Sequence, residues 1–164
     1  MASTSTSALE FRESANKKQS SRLNFILRHG QLFVMAHTIR DAMHLLDGKN
    51  VLIFENGFFL SEEAERKLAD LDVIISGPFN SPSQVLDYLA VNPVDAVIMD
   101  VTLEAEEALP VVAVLDKSGI PFIFALSSNP NHDGRHFAGF ILSGDDDDLA
   151  AISTALFCNR TKTH

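Results

Sequence analysis

VDAVIMDVTL, residues 94–103, is an apolar run that ends on a carboxylate, Asp100, and its reading decides the fold. Ala96 to Met99 are too few for a helix and too uniformly apolar for a half-solvated strand, which fits a central strand buried on both faces. Short runs of the same kind recur on either side. VLIF (51–54), VIIS (73–76), PFIFAL (121–126) and AGFIL (138–142) read as strands. Between them lie helical stretches. LSEEAERKLADL (60–71) has Ser61 as its cap and Glu62 and Glu63 in its first turn. SPSQVLDYLAVN (81–92) opens on a serine cap and a proline at the first helical position and closes before Pro93. A third helix runs from about Ala108 to Ser118 and stops at Gly119, and a fourth covers DDDDLAAISTALF (145–157). Strands of four to six residues alternating with helices require crossover connections. The expected fold is therefore α/β, a five-stranded parallel doubly wound sandwich.

An extra N-terminal helix precedes this pattern. Leu32, Met35, Ile39, Ala42, Met43 and Leu46 recur at spacings of three and four, and Gly48 supplies a stop. The expected organisation is a disordered tail over 1–20, an amphipathic helical arm over 21–49, one α/β domain over 50–158 and a short tail over 159–164. The arm's apolar stripe needs burial, either against the domain or in a homodimer with a second copy.

The chain has 164 residues, 46% of them hydrophobic, and a formal net charge of −9. Seven Lys/Arg stand against four Asp/Glu in residues 1–49, giving +3, and six against eighteen in the remainder, giving −12. An acidic body argues against nucleic-acid binding, which depends on cations displacing phosphate counterions. The first twenty residues do not resemble a secretory signal and no segment approaches a membrane span, so no membrane partner is expected. The single cysteine, Cys158, excludes an internal disulfide, fits a reducing cytoplasm, and reads as a small buried hydrophobe near a helix end. His132 and His136 lie four apart in a loop bearing Gly and Pro, where that spacing implies no zinc site.

In a doubly wound sheet the chemistry sits at the carboxyl ends of the strands. Glu55 and Asn56 follow the first strand and Asp100 ends the third. Oxygen ligands converging there suit Mg²⁺, which would neutralise a phosphoryl group approaching Asp100. A structural alternative makes Asp100 a capped strand end and Glu55 the cap of the following helix.

The segment from Val51 to Phe157, about two thirds of the chain, resembles the receiver domain of two-component response regulators. GPFNSPSQVLDYLAVNPVDAVIMDVTL and SGIPFIFAL are especially similar to stand-alone receivers of α-proteobacterial type. The resemblance implies a flavodoxin-like receiver fold and a phosphorelay role: Asp100 as phosphoacceptor, Glu55 and Asn56 as the acidic pair for Mg²⁺, the backbone carbonyl of Thr102 completing the metal site, and Phe140 as the switching aromatic. A histidine kinase or phosphotransfer protein would be the donor, and a downstream protein would read the result. From the residues alone Phe140 reads as plain core rather than a moving switch. Three positions depart from the pattern. Asn56 replaces an acid and weakens metal binding. The Ser/Thr of the fourth strand falls on Leu126, with Ser127 and Ser128 just beyond as substitute hydroxyls. The Lys-Pro pair after the fifth strand falls on Ser143 and Gly144. A phosphorylation-independent pseudo-receiver is therefore the rival reading. An enzyme on this scaffold, such as a phosphohydrolase or flavin protein, lacks a glycine-rich phosphate loop or GxSxG elbow. His37 faintly resembles a phosphorylated histidine, but no ATP-binding sequence follows it.

Overall fold

The computed structural model describes residues 37–57, 59–127 and 139–158. Ser128, His132, His136, most of the N-terminal arm and the C-terminal tail lie outside them. The chain divides into two units, Met1–Thr38 and Ile39–His164, and the second holds the α/β body.

Five parallel strands form one sheet in the order β2-β1-β3-β4-β5: β1 Asn50–Phe54, β2 Ile74–Phe79, β3 Ala96–Asp100, β4 Phe122–Ser127 and β5 Phe140–Leu142. All five residues of β3 are buried, as the opening stretch predicts for a central strand. Alternation along β1 divides the core. Val51 and Ile53 enter a cluster with Ile98, Ala125 and Leu142; Leu52 and Phe54 enter the opposite cluster with Val97 and Met99. Each such side chain, fully withdrawn from water, contributes about 1.5–3 kcal/mol, so a strand buried on both sides anchors both layers.

Helices cover both faces. On the first, helix α2 (Glu62–Asp70) buries Ala64 and Leu68, and α5 (Asp146–Ser153) buries Leu149, Ala150 and Ile152. On the second, α3 (Pro82–Val91) contributes Val85, and α4 (Ala105–Ser118) contributes Val111 and Leu115. Sequence-predicted caps hold: the Ser61 and Ser81 side chains accept from the amides of Ala64 and Gln84, Pro82 is the first residue of α3, and Gly119 ends α4 in the left-handed conformation.

Helix α1 spans 37–43 and continues as a short 3-10 turn, His44–Leu46. Met43 and Leu46 are buried in the first core cluster, with Ile39 and Ala42 packed against it, and the Ser153 hydroxyl donates to the Ala42 carbonyl. The stripe from Ile39 to Leu46 is thus buried by the α/β body itself.

Most boundaries shift by a residue or two, and three differ in a way that matters. Strand β2 runs on through Gly77 and Pro78, joined by a cis peptide bond, to Phe79. It is an edge strand, where proline's missing donor costs no ladder bond. Helix α4 starts at Ala105, a turn earlier than expected, with Pro110 inside it. The last helix changes to a π-type turn over Thr154–Cys158, and Cys158, expected to be buried, is exposed because it is the last residue of that turn. At the other end of the sheet Asn50 fixes three segments together. Its amide donates to Asp95 (2.8 Å), its side chain donates to the Pro93 carbonyl (2.7 Å), and its oxygen accepts from the Ser76 hydroxyl (2.6 Å).

Candidate functional site

Strands β1 and β3 are in register through Phe54 and Met99, so Glu55 and Asp100 follow one residue later on adjacent strands, with backbones about 5 Å apart. Both are buried, at 9% and 5% exposure, at the carboxyl rim of the sheet. The register therefore sets the backbones of the two acids side by side at this rim. Asn56 beside them is exposed, as is Thr102.

Each carboxylate is held by backbone amides. Glu55 Oε2 accepts from Phe59 (2.9 Å) and Leu60 (3.2 Å), and Asp100 Oδ1 accepts from Thr102 (2.8 Å). A carboxylate taking main-chain donors is fixed in one rotamer, and charge-assisted bonds of this kind are worth roughly 1.5–3 kcal/mol. These bonds engage one oxygen of each acid. Glu55 thus orders the loop that seats Phe59, 1% exposed, in the first core cluster. Sequence reading missed Phe59 as a core residue; FFL between Gly57 and the Ser61 cap was its signal.

Glu55 and Asp100 present carboxylate oxygen, the donor type that a hard divalent cation such as Mg²⁺ takes. The acids number two. Among the described residues no three His, Cys, Asp or Glu side chains are grouped to hold a metal, and the exposed amide Asn56 stands where a third acid would.

The other sequence-predicted residues sit on β4 and β5. Ser127 ends β4 opposite Leu142; Phe140 starts β5 opposite Ala125, half-buried against the first core cluster. Ser143, at the position expected for a lysine, is 6% exposed and fully engaged: its hydroxyl donates to Asp148 (2.6 Å) and accepts from the Asp145 amide (3.0 Å). At Gly144 a Cβ would meet the Glu63 side chain at 2.4 Å, so α2 closes over this junction. The aspartates 145–148 open α5, where its dipole favours them, and Ser143 rather than Asp145 supplies the side-chain cap contact.

Lys67 pairs with Asp146 at 2.6 Å, and that bond and charge raise its pKa above the ordinary value of 10.5. A raised lysine pKa means that the pair's contribution is complete below 10.5 and lost only as pH rises through the higher value. Thermal melts should therefore show Lys67→Met as a small Tm loss, constant from pH 6 to 9 and abolished in molar salt. A loss that grows toward acid pH would contradict this.

No protein-family model matches the sequence, and no curated protein does. Among solved structures the chain is similar to the response regulator PhyR from Brucella abortus (22% identity over 79% of this chain and 55% of that one, TM-score 0.54). It is also similar to a PhyR stress response regulator at 18% identity, over 81% and 54% of the two chains, with a TM-score of 0.59. The fold is that of a receiver domain. The BeF3-activated form of SdrG from Pseudomonas melonis Fr1 is 27% identical over 65% of this chain and 94% of its own, with a TM-score of 0.49. The chain spans about half the length of the PhyR chains. Among the described residues no helix is long and apolar enough to cross a membrane.

Proposed function

We propose that this receiver fold serves as a single-domain signalling module rather than an enzyme, with Asp100 accepting a phosphoryl group from a histidine kinase or phosphotransfer protein. One observation carries the reading: Glu55 and Asp100 leave adjacent, in-register strands as a buried acid pair at the rim where doubly wound sheets place their chemistry. In the transfer an Asp100 carboxylate oxygen bonds to phosphorus as the donor's nitrogen–phosphorus bond breaks, leaving an acyl phosphate and a free imidazole. The Thr102 amide on Oδ1 holds the carboxylate's orientation. Glu55, Asp100 and the Thr102 carbonyl would hold Mg²⁺, which supplies charge neutralisation at the phosphoryl oxygens, at an affinity lowered by Asn56. Output then passes through protein contacts, in the cytoplasm.

A second reading, a pseudo-receiver whose contacts ignore phosphate, is favoured by the Ser143 junction. A hydroxyl satisfied by Asp148 and Asp145 offers no cation to a phosphoryl oxygen.

Beryllofluoride with Mg²⁺ mimics the acyl phosphate and separates the two. A ligand at a hundred times its Kd stabilises by about 2.7 kcal/mol, or about 8 °C of Tm for a domain of this size. A shift of that order in the parent protein, absent in Asp100→Asn, supports the acceptor. Identical melting curves with and without the mimic support the pseudo-receiver.

A further inference from the structure

Residues 108–115, ALPVVAVL, carry no polar side chain over two turns of α4. A surface helix needs one apolar stripe, and Ala108, Val111 and Leu115 already supply it to the core. Of the remaining residues, Val112 packs partly against the second core cluster and the other four face outward. Leu109 is 63% exposed and Val114 36%, and Pro110 and Ala113 lie exposed between them. At 100° per residue, Glu106, Pro110, Ala113 and Lys117 fall within about 60° of one line opposite the buried side, flanked by Leu109 and Val114. Glu106 and Lys117, both exposed, lie at the two ends of this line with opposite charge, and the exposed Asp116 stands beside Lys117 on the Leu109 flank.

We propose that the outer face of α4 is the contact of a symmetric dimer, two copies of this chain meeting antiparallel about a two-fold axis between the levels of residues 111 and 112. That axis sets Pro110 near Ala113 of the second copy and Glu106 against Lys117, each pairing repeated by symmetry, and brings Leu109 beside its own mate on one flank and Val114 beside its own mate on the other. Charge selects the occupant. An acidic or a basic partner would meet one end of the face with its own sign, whereas an inverted copy satisfies both ends. Ala113 and the ring of Pro110 are small enough at the centre for two helices to approach within about 8–10 Å. Four apolar side chains per copy make a contact well below the standard interface of about 1,600 Å², so the association is weak, with a Kd on the order of 10–100 µM.

Sedimentation equilibrium of the full chain from about 5 to 500 µM covers that range. A monomer–dimer equilibrium is expected, weakened about tenfold or more by Glu106→Lys or by Lys117→Glu alone and restored when one chain carries both. The changed residues are exposed, and far-ultraviolet circular dichroism verifies that each variant keeps its helices. In a Cys158→Ser background, Pro110→Cys mixed with Ala113→Cys should form a disulfide faster than either variant alone. A folded monomer at the highest concentration, a dimer indifferent to both charge reversals, or cross-linking rates equal for like and unlike mixtures would each overturn the proposal.

Discussion

Gly77→Ala lowers the stability of the α/β body by about 3 kcal/mol, through two costs that add. Gly77 has φ +107°, a conformation outside the left-handed well that other residues tolerate. A Cβ there would stand 2.8 Å from the Phe79 amide nitrogen and 2.9 Å from the Ile53 carbonyl oxygen. Both are main-chain atoms of the β1–β2 pairing and cannot swing aside. Gly57, at φ +97° with nothing within 4 Å of its would-be Cβ, carries only the first cost, so Gly57→Ala serves as the matched control at about 1 kcal/mol. Urea unfolding should show the midpoint falling at unchanged slope, with the Gly77 variant losing about three times as much. Equal losses at the two positions would refute the steric account.

Glu55→Ala should cost a comparable amount, about 3 kcal/mol, because it strands the buried Phe59 amide and releases the loop that holds the Phe59 ring in the core. Glu55→Gln keeps an oxygen that can accept from the amides of Phe59 and Leu60, so about half of the loss is recovered while the charge is gone. This pair of variants separates the side chain's two roles. If Glu55 also serves the phosphoryl site, the Gln variant stays folded yet loses the thermal shift given by Mg²⁺ and beryllofluoride. If the shift survives in Glu55→Gln, the acid is only a loop anchor.

Much of the fold was legible because local and long-range signals agree. The apolar run through Asp100, the caps at Ser61 and Ser81 and the stop at Gly119 each follow from a residue's own chemistry. Strand β2 was read three residues short because Gly77 and Pro78 punctuate most sequences; that they lie on an edge strand is a property of the sheet order, which one segment cannot reveal. The site was half legible. Strand ends place Glu55 and Asp100 together, but the amides that bind Glu55 belong to a loop whose path depends on Phe59 finding the core. Likewise Ser143 could be recognised as a missing lysine and not as a cap, since its partner Asp148 is brought back by the first turn of α5.

The seam between β5 and α5 bears on any attempt to retrofit a phosphate-gripping cation. Lysine at 143 would displace the hydroxyl that ties down Asp148, and a ring at 144 would strike Glu63, whose side chain fills that space. The two obstacles are unequal: Glu63 is exposed and its side chain can turn aside, whereas the hold on Asp148 is lost outright, so a graft needs a new donor for Asp148 before it needs anything from the helix upstream.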